Sequence, residues 1–332
     1  MLLSAQKEWV IDEYRPTLAC HASTVLPLEN GEVLAAWFGG TAEGRDDVDI
    51  YVSRRVGALW YPPQHISAGN VPHWNPVLFR GADGRIVLFF KVGKPIPQWQ
   101  TYFCESADGG KTWSAPAELV PGDTSGGRGP VKNKPLRLAD GTVLAPASTE
   151  QGAWLAFIDV SRDDGRTWTR TPNIPAPRYK SGRQIAMIQP TLWESAPNTV
   201  HALFRTNRGR IYRSDSADGG RSWCEAYPTL LKNPNSGIDL ARVPDGRLFL
   251  AHNPCGRSWG ERAPLLLSVS EDNGATWKEV LTLERRRTPD DEFSYPAVVS
   301  DGNTLHITYT YQRQKIVYWN IVVDEVEERT KE

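Results

Sequence analysis

Ser106-Ala-Asp108-Gly-Gly110-Lys-Thr112-Trp113 is a phrase the chain repeats at a nearly constant interval. It returns as Ser161-Arg-Asp163-Asp-Gly165-Arg-Thr167-Trp168, as Ser216-Ala-Asp218-Gly-Gly220-Arg-Ser222-Trp223 and as Ser270-Glu-Asp272-Asn-Gly274-Ala-Thr276-Trp277. The copies start 55, 55 and 54 residues apart, and a worn fifth lies 53 residues upstream, with Ser53, Gly57 and Trp60 kept and Arg55 replacing the aspartate. Ser and Asp side chains bond nearby backbone amides, and Gly supplies positive φ without steric cost. The closing Trp begins the next apolar stretch and can bury its ring against a neighbouring unit. Each copy therefore reads as a hairpin turn with an anchor, and a fixed period of this size signals a repeat architecture.

The phrase Ser-x-Asp-x-Gly-x-Thr-Trp resembles the Asp-box of the sialidase superfamily, and the resemblance covers essentially the whole chain. It implies an all-β fold, a six-bladed β-propeller of four-stranded antiparallel blades. Each box then sits at the turn between the third and fourth strands, away from the active site. The length agrees: 332 residues hold six units of this period, so one propeller spans residues 1–332. Strand-like runs such as Arg85-Ile-Val-Leu-Phe-Phe90 and Arg247-Leu-Phe-Leu-Ala251 recur in each unit, most of them after an Asp-Gly turn. The sixth unit lacks a box and ends in Lys315-Ile-Val-Tyr-Trp-Asn-Ile-Val-Val323. A propeller must hide its edges, so Lys7-Glu-Trp-Val-Ile-Asp12 is expected to supply the outer strand of that last blade.

A net charge of −1 argues against general nucleic-acid binding, which needs a basic surface. No apolar stretch is long enough for a membrane helix, and the N-terminal run does not read as a leader. Cys20, Cys104, Cys224 and Cys255 lack metal spacing and read as reduced thiols, so a cytoplasmic location is expected, with no metal and no cofactor.

In a propeller the loops entering the innermost strands build the site. The repeat places these entries at Cys20-His-Ala-Ser-Thr24, His73-Trp-Asn-Pro76, Lys132-Asn-Lys-Pro135, Ile188-Gln-Pro190, Asn233-Pro-Asn-Ser236 and Phe293-Ser-Tyr-Pro296. Long loops on a rigid scaffold usually carry function. Asn75, Lys134 and Trp74 are read from these entries as substrate contacts; Trp74, Trp99 and Trp259 offer faces for stacking on sugars.

The sialidase resemblance implies further roles. Such enzymes hold a carboxylate with three arginines, attack with a Tyr assisted by a Glu, and protonate with an Asp. Arg205, eleven residues before the third box, looks like the second arginine, and Arg262, eight before the fourth, like the third. A guanidinium fork matches the two oxygens of a carboxylate. Tyr295 falls at the nucleophile's place. The run Glu43-Gly-Arg-Asp-Asp-Val-Asp49 falls at the acid's place, with Asp47 or Asp46 as proton donor and Glu43 near the substrate. Two positions depart from the family. His21 stands where the first arginine is expected, and Gln189 where the glutamate is; Gln cannot take a proton from a phenol.

The expected activity is a sialidase-like glycoside hydrolase acting on a carboxylated sugar, sialic-acid-like or uronic. Two alternatives stand beside it: a propeller that binds carbohydrate without cleaving it, and a lyase on uronic-acid glycosides using the Tyr295–His21 pair. In the lyase a base removes the proton next to the carboxylate while a cation neutralises the enolate.

Overall fold

The computed structural model describes residues 2–12 and 15–324. Its strands form six antiparallel sheets arranged as a β-propeller. The first blade is built from Ala19–Pro27, Val33–Gly40, Asp49–Val56 and Leu59–Trp60, with Gln64–Ile66 also pairing to the third strand. His73–Arg80, Ile86–Val92, Gln100–Ser106 and Ala117–Glu118 make the second, and Leu136–Arg137, Val143–Thr149, Leu155–Ser161 and Thr169–Arg170 the third. The fourth holds Met187–Ala196, Thr199–Thr206, Arg210–Ser216 and Tyr227–Lys232; the fifth Asp239–Arg242, Leu248–His252, Leu265–Ser270 and Lys278–Glu284. In the sixth, Phe293–Asp301, Thr304–Tyr311 and Lys315–Val323 are joined by Leu2–Trp9. One 3-10 turn, Ile96–Gln98, is the only helical element among the described residues.

The expected closing strand lay at Lys7–Asp12, and the pairing runs from Leu2 to Trp9 against Lys315–Val323. Val10 keeps one bond to the partner strand, its N–H to the Ile316 carbonyl (2.9 Å), and with Ile11 it is buried at the junction of the sixth and first blades. Each strand alternates faces, so every blade offers apolar side chains to both neighbours. The buried apolar residues accordingly fall into six clusters, one at each blade-to-blade junction.

All four complete boxes share one hydrogen-bond pattern. In the third, Ser216 Oγ donates to Asp218 Oδ1 (2.8 Å) and accepts from the Gly220 amide (2.9 Å), while Asp218 accepts from the amide and hydroxyl of Ser222. The glycines carry a second constraint. At Gly110 (φ +81°) a Cβ would lie 2.7 Å from Leu34 Cδ1 of the preceding blade; at Gly220 (φ +82°) it would lie 2.8 Å from Leu144 Cδ1. A side chain is thus excluded both by backbone conformation and by the neighbouring blade. The box is a turn and an inter-blade contact at once.

Replacing Ser216 with Ala strands the buried Gly220 N–H and removes one ligand of Asp218. Ser216→Ala is expected to lower the unfolding free energy by about 1–3 kcal/mol in chemical denaturation, without changing the fold.

Candidate functional site

The inner strands carry a repeated irregularity at their starts. The pairing register slips between His21 and Thr24, Trp74 and Val77, Ile188 and Thr191, and Ser294 and Ala297. Inside these slips lie Ala22, Asn75, Gln189 and Tyr295, all with φ between +44° and +55°; Asn235, just ahead of the fifth inner strand, has φ +62°. A bulge re-aims the side chain it carries. A left-handed tyrosine costs about 1–3 kcal/mol and persists only where its surroundings over-determine it. Pro76, Pro190 and Pro296 follow three of these residues, and bulges are among the few sheet positions that accept proline.

Three bulge or entry residues converge on one guanidinium. Arg205, on the second strand of the fourth blade, donates to Tyr295 Oη (2.6 Å), Gln189 Oε1 (3.2 Å) and Asn235 Oδ1 (2.9 Å). It is 2% exposed and forms no ion pair with any described residue. The Arg262 guanidinium lies 5.7 Å from the Tyr295 ring centre and that of Arg205 5.6 Å. His21 stacks at a tilt on the same tyrosine, ring centres 4.2 Å apart. Its Nδ1 bonds to Thr310 Oγ1 (3.0 Å), and the ring faces a cavity of about 210 Å³ shared with Phe38, Glu43 and Arg313.

Cations dominate the electrostatics. Burial pushes His21 well below its usual value, and Arg313, Arg262, Arg205 and Lys132 push it the same way, so the imidazole is neutral. Lys132 is buried beneath Tyr295, bonding Asn133 Oδ1 and the carbonyls of Ile238 and Pro296; burial pulls it down to about 7 against the attraction of Asp239. Burial works to raise Glu292, yet Arg313 and Arg262, both paired with it, hold it below the ordinary range. Glu150, just after the second strand of the third blade, shifts the other way. Burial raises it, Arg205 opposes, and the charge of Glu43 adds to the rise.

Of the residues read from sequence, His21, Gln189, Arg205, Arg262 and Tyr295 come together, and Glu43 reaches the cavity edge through its bond to Arg313 (2.6 Å). Asn75 occupies the equivalent bulge of the second blade. Others are placed differently. Asp47 caps a turn, accepting from the amide and hydroxyl of Thr41, and lines a separate depression with Arg15 and Tyr51. Asp46 is exposed at the rim near Lys94 (3.6 Å). Lys134 is tied to Asp239 (3.0 Å) and the Leu240 carbonyl, bracing the third blade to the fifth. Trp74 and Trp99 are buried, with their indole N–H groups on the carbonyls of Gly93 and Gly126, so neither presents a free face. Trp259 is 65% exposed and meets Trp154 edge-on; Trp154 in turn lies 5.7 Å from the Arg205 guanidinium.

Sequence reasoning passed over Glu150, Trp154, Lys132, Glu292 and Arg313. A usable signal existed. The second strand of each blade runs antiparallel to the inner one, so it ends where the inner strand begins. Residues just beyond it, such as Glu150 and Arg313, therefore reach the same face.

A family profile described as a BNR repeat-like domain matches residues 31–307. The chain belongs to this family. Among solved structures, a protein of unknown function from Dyadobacter fermentans superposes with a TM-score of 0.76 at 17% identity, covering 97% of this BNR-repeat chain and 100% of the other. The NanB sialidase of Streptococcus pneumoniae, as its K499G mutant, gives 0.72 at 12% identity, covering 94% and 70%. The Trypanosoma rangeli sialidase, bound to the inhibitor DANA, gives 0.72 at 14% identity, covering 96% and 60%. The fold of this BNR-repeat protein is thus that of a sialidase-like propeller.

The buried amine at the centre has a measurable signature. Below pH 7 Lys132 is charged in both folded and unfolded states and its burial penalty is fully present; above 10.5 it is neutral in both. Stability should therefore rise with pH above about 7, until Cys20, pushed up to about 12 by burial, works against it beyond pH 9. Between pH 7 and 9 the wild type should gain up to about 1.4 kcal/mol per pH unit more than Lys132→Met, read from urea midpoints.

Proposed function

We propose that this protein is a sialidase-like, glycoside-active enzyme whose substrate carries a carboxylate on the sugar that is released. The observation that carries the reading is Arg205. A guanidinium held out of water with only amide and phenol partners is costly, by several kcal/mol, unless an anion joins it. A sugar carboxylate supplies that anion and matches the guanidinium fork. Arg262 is the second contact. Arg313, bonded to Glu292 and Glu43 beside His21, takes the part of the arginine that His21 displaces from the first blade.

In this reading the anomeric carbon lies at Tyr295. Arg205 already donates to the phenol oxygen, so the phenolic proton is left for a partner in the cavity. Gln189 accepts from Arg205 and takes no proton; His21, packed on Tyr295, is the nearest nitrogen base, and the substrate carboxylate would offset the cations that depress it. With Asp46 exposed at the rim and Asp47 capping Thr41, the acid in this reading is Glu150, whose carboxyl burial and the charge of Glu43 raise against the pull of Arg205. His21 beside Tyr295 is also the specific support for the second reading, a lyase on uronic-acid glycosides. There Arg205 would neutralise the enolate while the Tyr–His pair moves the proton.

The test is a panel of sialosides and uronic-acid glycosides with product analysis. Release of the intact sugar acid supports hydrolysis, and an unsaturated product absorbing in the ultraviolet supports elimination. Tyr295→Phe is expected to cut turnover at least about a hundredfold. Free sugar acid should raise the melting temperature of the wild type and not of Arg205→Met, in proportion to saturation. Ligand stabilisation without turnover across the panel would instead favour a carbohydrate-binding propeller, and absence of both would end the reading.

A further inference from the structure

On the flank of the fourth blade, away from the arginine cluster, three side chains from three successive strands form a connected line. Ser195 Oγ lies 2.7 Å from His201 Nε2, and His201 Nδ1 lies 2.5 Å from Asp215 Oδ1. Strand pairing builds this line. His201 sits directly across from Asp215 in the register, and Ser195 falls in a slip of the first strand between Glu194 and Ala196, which turns its side chain toward the histidine. Asp215 also accepts from Arg213 Nε (2.8 Å) and Tyr227 Oη (2.7 Å). Burial works to raise this carboxyl, but His201, Tyr227 and Arg213 together hold it well below its ordinary value, so it is ionised. Two groups meet Nδ1, the ionised Asp215 at 2.5 Å and Arg213 Nη2 at 3.0 Å; the closer carboxylate favours the proton on Nδ1 and the lone pair on Nε2, toward the serine.

The fourth Asp-box adds a further part. At its fourth position the other three boxes carry Gly109, Asp164 and Gly219, whereas this one carries Asn273. Trp193 Nε1 donates to Asn273 Oδ1 (2.7 Å), which fixes the amide's orientation and leaves Nδ2 3.2 Å from His201 Nε2, sharing that nitrogen with the serine hydroxyl. Once Nε2 carries the serine proton it no longer accepts from Nδ2, and that N–H is released to donate to an oxyanion formed at a carbonyl attacked by Ser195. Trp193 also stacks on the imidazole, ring centres 4.8 Å apart, and so fixes both groups.

We propose that Ser195, His201, Asp215 and Asn273 form a second, serine-hydrolase site that cleaves short-chain acyl esters. Ser195 lies partly exposed next to an open hairpin tip, Ala196 to Asn198, which suits a small acyl group on a larger alcohol. His201 Nε2 takes the Ser195 proton as Oγ bonds to the acyl carbon, and returns it to the alkoxide as the ester C–O bond breaks. A solvent water, deprotonated by the same nitrogen, then attacks the acyl-serine, and the proton goes back to Oγ as the acid leaves. The site shares no residue with the sugar-acid reading and stands without it.

The test uses a biotinylated fluorophosphonate followed by peptide mapping, with p-nitrophenyl acetate hydrolysis in parallel. Labelling at Ser195, together with a fall in hydrolysis of about a hundredfold or more in Ser195→Ala, is expected. His201→Gln should abolish labelling while leaving Ser195 in place; because His201 is nearly buried, the near-isosteric Ser195→Ala carries the decision if that variant fails to fold. No serine label, a label on another serine, or wild-type ester hydrolysis in Ser195→Ala would each overturn the proposal.

Discussion

The contact of the box glycines with the blade before them, tightest at Gly110 and Gly220, is the constraint on which the ring rests. Gly110 against Leu34 and Gly220 against Leu144 leave no room for a Cβ, so blade spacing is fixed at the periphery by contact rather than by loop length. The first blade departs from this pattern. There Arg55 replaces the box aspartate, and its guanidinium holds Glu8 of the closing strand with two bonds, 2.8 and 2.7 Å, joined by Trp60 Nε1 at 3.1 Å. The worn box has exchanged an internal turn bond for a clasp between the first and last blades. Spacing set at the rim sets the width of the channel mouth, and so the distances among side chains that meet there.

Those side chains come from the first, third, fourth, fifth and sixth blades, and no local segment could assemble them. Two buried cations, Arg205 and Lys132, flank the left-handed Tyr295 with neutral partners, while Arg262 and Arg313 share Glu292. In a site shielded from water, charges of one sign act over longer range than at a surface. Burial first and these cations second keep the resting His21 neutral, and an acidic ligand is the natural complement of the cluster.

The architecture was legible because it is periodic. Five phrases with turn chemistry at one spacing permit few folds, and the sialidase-like resemblance narrowed them to one. The clustering of the inner-strand entries was legible for the same reason: His21, Gln189 and Tyr295 sit at equivalent points of the repeat. The placement of Asp46 and Asp47 was not legible because a charge-rich loop looks alike whether its carboxylates face a cavity or cap their own turn, as Asp47 does on Thr41. The burial of Trp74 was not legible because it depends on the preceding blade, which packs Phe38 against it. Arg313 and Glu150 were hidden because they lie beyond second strands, where the sequence shows no motif. The line from Ser195 to Asp215 is a cross-strand geometry, invisible until register is known.

Closure by the first strand has a consequence for the order of events at the ribosome. Among the described residues Leu2–Trp9 pairs with Lys315–Val323, so it emerges before its partner and waits while roughly 300 residues are made, about 15–60 s at about 5–20 residues per second. Throughout that interval it is an unpaired edge looking for a partner. Its solvent-facing stretch Leu3 to Lys7 includes Ser4, Gln6 and Lys7, and polar residues and lysine are what keep such an edge from joining another chain. The composition of this strand therefore answers to the waiting chain as much as to the finished ring.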